Sequence, residues 1–259
     1  MKLRYTAFMA VTVLGAAACD AGSEPVRGPE AALERATERM EDAGSAEVST
    51  TTDLGAGSTP NTLEGAYSWG DAYAFDVQVD PEQVGLDGLT DSAKMSMRYV
   101  DGTVYFDIEP QPSGPLKGKE WLKVAGQGSA AYGSSSSPMT SMKALAYADR
   151  VEDLGKQTVN GRNTTHYRAV IDKEHTDRYQ KLYPDESVLE AFVSSARAIT
   201  MDVWLGADGL PVRTAHQIGA MSTTSDFRKF GVENAVKAPP ASQLADYTAA
   251  VEGLTRDEG

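Results

Sequence analysis

Lys94-Met95-Ser96-Met97-Arg98-Tyr99-Val100-Asp101-Gly102-Thr103-Val104-Tyr105-Phe106-Asp107-Ile108 is the stretch that decides the fold. Asp-Gly is a two-residue turn that takes positive φ at both central positions, so the two arms must pair antiparallel. The turn sets the register: Val100 opposes Thr103 and Tyr99 opposes Val104. Met95, Met97 and Tyr99 then share a face with Val104, Phe106 and Ile108, while Lys94, Ser96, Arg98, Tyr105 and Asp107 take the other. Both arms put their apolar side chains on the same face, which a one-residue slip would destroy.

The same texture extends outward. Tyr67, Trp69, Tyr73, Phe75, Val77 and Val79 are all at odd positions, with a break near Gly70-Asp71, and predict a further strand pair. Asn160-Gly161 centres a hairpin over Val151 to Ile171, and Asp208-Gly209 centres another over Ile199 to Ile218, with Leu205 opposite Val212, Val203 opposite Thr214 and Met201 opposite His216. Strands are also expected around Thr50-Thr51-Thr52, at Trp121 to Val124 and from Met221 to Phe227. Helices are expected over Pro29 to Ala43, closed by Gly44, over Pro138 to Arg150, over Asp172 to Ala196 with a break near Pro184, and from Gln243 to Leu254. Pro81 to Leu89, Gln111 to Lys119 and the Gly/Ser-rich Gly126 to Ser137 read as loops. Tight hairpins exclude a mainly parallel sheet. The order of elements predicts an α+β protein, an antiparallel sheet with helices on one face.

The N-terminus reads as an export signal: Lys2 and Arg4, an apolar run from Ala7 to Ala18, then Cys19, the one cysteine. Ala16-Ala17-Ala18-Cys19 resembles a bacterial lipobox, in which the thiol takes diacylglycerol, the chain is cut before the cysteine and a further acyl group such as palmitate can follow. It departs from that pattern at Ala16, where Leu is usual; Leu14 sits two places earlier. Residues 1–18 are thus expected to be a lipoprotein signal peptide, 19–29 an acidic flexible tether and 30–259 a single domain. A lone cysteine provides no disulfide framework. The 259 residues carry 37 acidic and 24 basic groups, a net charge of -13, which argues against nucleic acid as a partner. An apolar content of 41% suits a globular core.

Chemistry-bearing motifs are absent. The sequence has no G-x-S-x-G, Walker A, H-E-x-x-H or dinucleotide fingerprint. His166, read as outward-facing on a strand, His175 in a charged helical stretch and His216 opposite Met201 have no ligand spacing on one element. No catalytic residue, cofactor or metal site is expected, and an envelope hydrolase ranks last among the functions considered. Glu152-Asp153 and Asp185-Glu186 read as solvated faces.

One apolar strand-borne face stands out: Trp69, Tyr73, Phe75, Met95, Met97, Tyr99, Phe106, Met201 and Val203. It reads either as the ordinary core between sheet and helices or as the lining of a partly filled cavity for acyl chains, for which flexible methionines are suited.

Val100-Asp101-Gly102-Thr103-Val104-Tyr105 and Val203-Trp204-Leu205-Gly206-Ala207-Asp208-Gly209-Leu210-Pro211-Val212, behind a lipobox, tether and helix, resemble the actinobacterial envelope lipoproteins of the LppX/LprAFG type, themselves similar to the LolA/LolB carriers. The resemblance implies a curved antiparallel half-barrel with helices packed on its concave face. It also implies acyl-chain lipid binding, of a glycolipid or acylglycerol, in the cavity. The expected protein is anchored to the cell membrane on the extracytoplasmic side through Cys19, with a lipid ligand and a membrane transporter as partners. The alternative is a non-catalytic sensor or accessory interaction lipoprotein with a filled core.

Overall fold

The computed structural model describes residues 28–55, 57–70, 72–126, 137–183, 187–232 and 236–247. Cys19 and almost all of the tether lie outside these residues, as do most of the expected Gly/Ser loop and the end of the expected C-terminal helix.

Helix α1 (Pro29–Ala43) starts on proline and ends where Gly44 adopts φ 66°, its amide returning to the Glu41 carbonyl. Its buried stripe is Ala31, Leu33, Ala36 and Met40. Then follow β1 (Ser45–Asp53), β2 (Asn61–Ser68), β3 (Ala74–Val79), β4 (Met95–Val100), β5 (Thr103–Asp107) and β6 (Trp121–Val124). Helix α2 (Pro138–Lys143), capped by the Ser137 hydroxyl, runs into a 3-10 turn over Ala144–Tyr147. After it come β7 (Arg150–Val159), β8 (Arg162–Asp172), α3 (Thr176–Gln180), α4 (Ser187–Ser195), β9 (Ala198–Leu205), β10 (Pro211–Ile218), β11 (Met221–Phe230) and β12 (Leu244–Asp246).

The twelve strands of the described residues form one curved sheet in the order β12-β6-β5-β4-β3-β2-β1-β11-β10-β9-β8-β7. The order is a pair of meanders joined by β1 against β11, the two strands furthest apart in sequence among neighbours. Asp101 and Gly102 (φ 51° and 75°) and Asn160 and Gly161 (φ 50° and 73°) make two of the tight turns, and β4 pairs β5 in the register the turn dictates. Leu33, Ala36 and Met40 of α1, Met139 and Met142 of α2, Tyr179 of α3 and Leu189 and Val193 of α4 pack with one face of the sheet in a single apolar cluster. The architecture is α+β, with the helices on the concave face.

Three expectations need correction. Leu205 opposes Pro211 rather than Val212, because a bulge at Val212 shifts the register before Arg213; Thr214–Val203 and His216–Met201 then pair as read. The helix from Pro138 ends at Lys143, and Arg150 already belongs to β7. Asp172 to Ala196 is helical on both sides of the break expected near Pro184, as a 3-10 turn running into α3 and then as α4. Leu244–Asp246, expected at the start of a helix, adds to β6 as a parallel edge strand.

Candidate functional site

The concave face follows from strand parity. On β3, β4 and β5 the inward residues are Phe75, Val77, Val79, Met95, Met97, Val104 and Phe106, all buried, with Phe75 opposite Tyr99 and Met97 opposite Val77 and Phe106. Aromatic rings gather at the end of this region near the Asp101-Gly102 turn. Phe75 stacks on Tyr99 with centroids 5.6 Å apart, Tyr73 lies 5.5 Å from Tyr99, and Tyr67 lies 5.5 Å from Phe75. Trp69 is in the connection between β2 and β3 rather than on a strand; its indole N–H donates to the Met40 carbonyl at 2.8 Å, tying α1 to the rim.

The nine expected lining residues divide by burial. Phe75, Met95, Met97, Phe106, Met201 and Val203 are inside the cluster, and Met97 and Met201 are wholly inaccessible. Trp69, Tyr73 and Tyr99 are half-buried against it. They also divide by place: Met201 and Val203 are on β9, six strands from β4 in the sheet. The helices and the curve of the sheet join both groups into one cluster.

Between the two groups is a polar region that reading for apolar alternation missed. Across β2, β1, β11 and β10, one row of paired inward positions runs Asn61, Thr52, Thr223, His216, and continues to Met201. The next row runs Leu63, Thr50, Ser225, Thr214. Hydroxyls bridge strands at 3.0 Å between Thr50 and Ser225 and at 3.4 Å between Thr52 and Thr223. His216 is 7% exposed, and burial pushes its pKa down to about 4, with only the carboxylate of Asp202 opposing. Its imidazole is therefore neutral at pH 7. Burial likewise raises the Tyr67 phenol, against the hydroxyl of Thr50.

The convex face is charged and paired. Arg98 meets Asp76 at 2.8 Å and Arg213 meets Asp226 at 2.7 Å. Burial works against the Asp226 carboxylate, but hydrogen bonds from Arg213 and Asn160 outweigh it and lower its pKa. His166 is on this face, as its parity predicts, yet only 6% exposed. Trp204 stacks on its ring at 4.2 Å, and its Nε2 meets Asp202 at 2.7 Å, a carboxylate that Arg168 also holds. Its neighbours on β9 cover it, which the sequence of β8 alone does not report. Among the described residues no nucleophilic side chain is hydrogen-bonded to this pair or to the surface pair His175–Asp149, and no group of three or more potential metal ligands occurs. No helix among them is long and apolar enough to cross a membrane. A groove of about 360 Å³ has a wall of mixed character, with Met95 and Ile108 beside Gln78, Lys94, Asp107 and Glu120.

No family model matches the chain. It is 25% identical over 238 residues to "Putative lipoprotein SCO4650" of Streptomyces coelicolor, covering 83% of this chain and 73% of the relative. Over 249 residues it is 25% identical to an uncharacterized 31.2 kDa protein of Streptomyces griseus, covering 85% and 79%. Among solved structures, LprF from Mycobacterium bovis aligns over 84% of this chain and 99% of its own, with a TM-score of 0.53 and 11% identity. The chain has the LprF fold. At that identity the likeness lies in backbone and layer order, and the side chains of the LprF-like concave face described above are this chain's own.

Proposed function

We propose that this LprF-like chain is an extracytoplasmic envelope lipoprotein, anchored to the cell membrane by a lipid on Cys19, that binds an acyl-chain lipid on its concave face. The observation that carries the reading is the single apolar cluster in which the helices packed on the sheet join Phe75 and Met97 on one side to Met201 and Val203 on the other. The lipobox-like Ala16-Ala17-Ala18-Cys19 and the similarity to a Streptomyces coelicolor protein named as a lipoprotein support the anchor. Binding is passive: apolar side chains replace water around the acyl chain, at about 0.8 kcal/mol per methylene buried. The short helices α2, α3 and α4 admit the chain by moving off the sheet. A membrane transporter is the partner this role calls for.

A second reading, an accessory interaction protein with a filled core, draws on one observation: Met97 and Met201 have no exposed surface. Native mass spectrometry separates the two. The chain, produced in a lipid-containing bacterium, is expected to retain adducts of lipid mass that are lost in Met97→Trp or Met201→Trp. A bare protein mass, before and after incubation with envelope lipids, removes the lipid-binding reading and leaves the second.

A further inference from the structure

We propose that His175 and Asp149 form a charge-dependent latch that holds α3 on the sheet and sets how fast the ligand exchanges at the β9 flank of the concave face. The proposal rests on the lipid-binding reading and adds to it the contact that controls entry.

The topology lets α3 lift. β8 ends at Asp172 and β9 begins at Ala198, and these two residues face each other in the sheet. The chain leaves and re-enters the sheet at one place, so lifting α3 unpairs no strand. Helix α2 is held differently: its Met142 carbonyl accepts from the Thr37 hydroxyl at 3.5 Å and its Lys143 pairs with Glu41 at 2.9 Å, both on α1. At five residues α3 depends on tertiary contacts to stay helical. Tyr179 and Tyr183 supply them from within the apolar cluster, their rings 4.8 Å apart. α3 packs on β8, whose inward Ala169 and Ile171 have no exposed surface, and Ala169 opposes Met201. Lifting α3 opens the Met201 side of the lining.

The polar contacts at its base make the latch. The 3-10 turn Lys173–His175 joins β8 to α3. Asp149 is fixed to the sheet, its N–H donating to the Val170 carbonyl at 2.9 Å. Its carboxylate accepts the Asp172 N–H at 2.8 Å and His175 Nδ1–H at 2.5 Å. The Asp172 amide first, then His175 and Arg178, hold the Asp149 carboxyl below the usual carboxylate range against desolvation. It is therefore charged throughout the interval of about pH 5 to 8 in which histidines change charge. An imidazolium makes a charge-assisted bond to it, roughly twice as strong as that of a neutral imidazole. The other charges nearby are Arg150 and Asp172, paired with each other at 2.8 Å, and Lys173 and Glu174 on the same turn. The 3-10 turn Ala144–Tyr147, on which α3 also packs, has Tyr147 as its one titratable residue. Thr176 bonds the Lys173 carbonyl and Lys181 pairs with Asp177, contacts that stay within the α3 segment. The latch is tight at pH 5.5 and loose at pH 8. Burial of His216 acts in the opposite direction, loosening the fold as pH falls, so it does not produce this response.

The test is hydrogen exchange of the full chain without lipid at pH 5.5 and pH 8, corrected for intrinsic rates. It is paired with the release rate of bound 12-(9-anthroyloxy)stearate into excess unlabelled stearate. The Thr176 to Tyr183 amides are expected to exchange about threefold faster at pH 8, the scale of a partly exposed ion pair, with no such rise in β8 or β9. Probe release is expected to quicken by the same factor. His175→Gln keeps a donor that cannot charge, and Asp149→Asn keeps an acceptor for the Asp172 amide. Both are expected to show the fast rates at both pH values. Equal exchange at the two pH values, a pH response that survives in His175→Gln, or acceleration spread over β8 and β9 overturns the latch. A latch response in exchange with unchanged probe release overturns its control of entry while leaving lipid binding intact. Absence of probe binding overturns the lipid-binding reading and the control of entry with it, and the exchange rates then decide the latch by themselves.

Discussion

The concave face has two unlike regions on one sheet. Over β3 to β5 it is built from Phe75, Val77, Met97 and Phe106, which are at most 5% exposed. Over β2, β1, β11 and β10 the same geometric layer holds Thr50, Thr52, Asn61, Thr223, Ser225 and His216. The first region is what a core needs. The second costs stability, since its polar groups lose water and regain only part of it in hydrogen bonds. The inward layer is thus apolar and closed over β3 to β5, and over β2, β1, β11 and β10 it is polar, half-buried at Asn61, Thr52 and Thr223 and buried at Ser225 and His216.

The largest expected difference is in truncation. Met97→Ala removes a wholly buried side chain and is expected to lower stability by about 3–4 kcal/mol in urea unfolding. A loss below about 1 kcal/mol would show that the apolar flank is loose enough to collapse. Gly65 on β2 lies between Val48 of β1 and Val77 of β3. A Cβ there would sit 2.2 Å from the Asp76 carbonyl oxygen and 2.7 Å from the Val77 Cα. Gly65→Ala is therefore expected to cost about 3 kcal/mol through backbone displacement.

The polar region should be legible in pH. The His216 imidazole has a pKa of about 4 in the folded chain against 6.5 for a free one. Between these values the unfolded chain binds the proton and the folded chain does not, so stability is full above pH 6.5 and falls as pH drops toward 4, by about 3 kcal/mol. His216→Gln is expected to flatten that window of a urea titration; an unchanged slope would place the acid sensitivity elsewhere. Thr223→Val exchanges a half-buried hydroxyl for a methyl at nearly constant volume and is expected to change stability by less than about 1 kcal/mol, in either direction. Smallest is the convex surface: Arg150→Ala breaks an ion pair with Asp172 whose partners are 51% and 43% exposed, and is expected to move the midpoint by under about 0.5 kcal/mol.

The same contrast explains what the sequence discloses. Met95, Met97, Phe106, Met201 and Val203 are legible because large apolar residues alternate with charged ones around turns whose type fixes the register. Thr50, Thr52 and Thr223 are not, because a threonine serves equally on a solvated strand face and in a half-buried one. The Val212 bulge and the parallel pairing of Leu244–Asp246 with β6 depend on partners far along the chain. The burial of His166 is set by Trp204 on a neighbouring strand. Curvature and the placement of helices on the concave side came from the resemblance to the LppX/LprAFG-type lipoproteins, since alternation carries no information on either.

The central claim is that an acyl chain lies along the concave face, and photolabelling tests it most directly. A palmitoyl probe with a diazirine along its chain, bound to the purified chain and irradiated, is expected to label peptides containing Met95 to Phe106 and Ile199 to Val203. Labelling confined to peptides without concave-face residues, or none above a detergent-competed background, would contradict it.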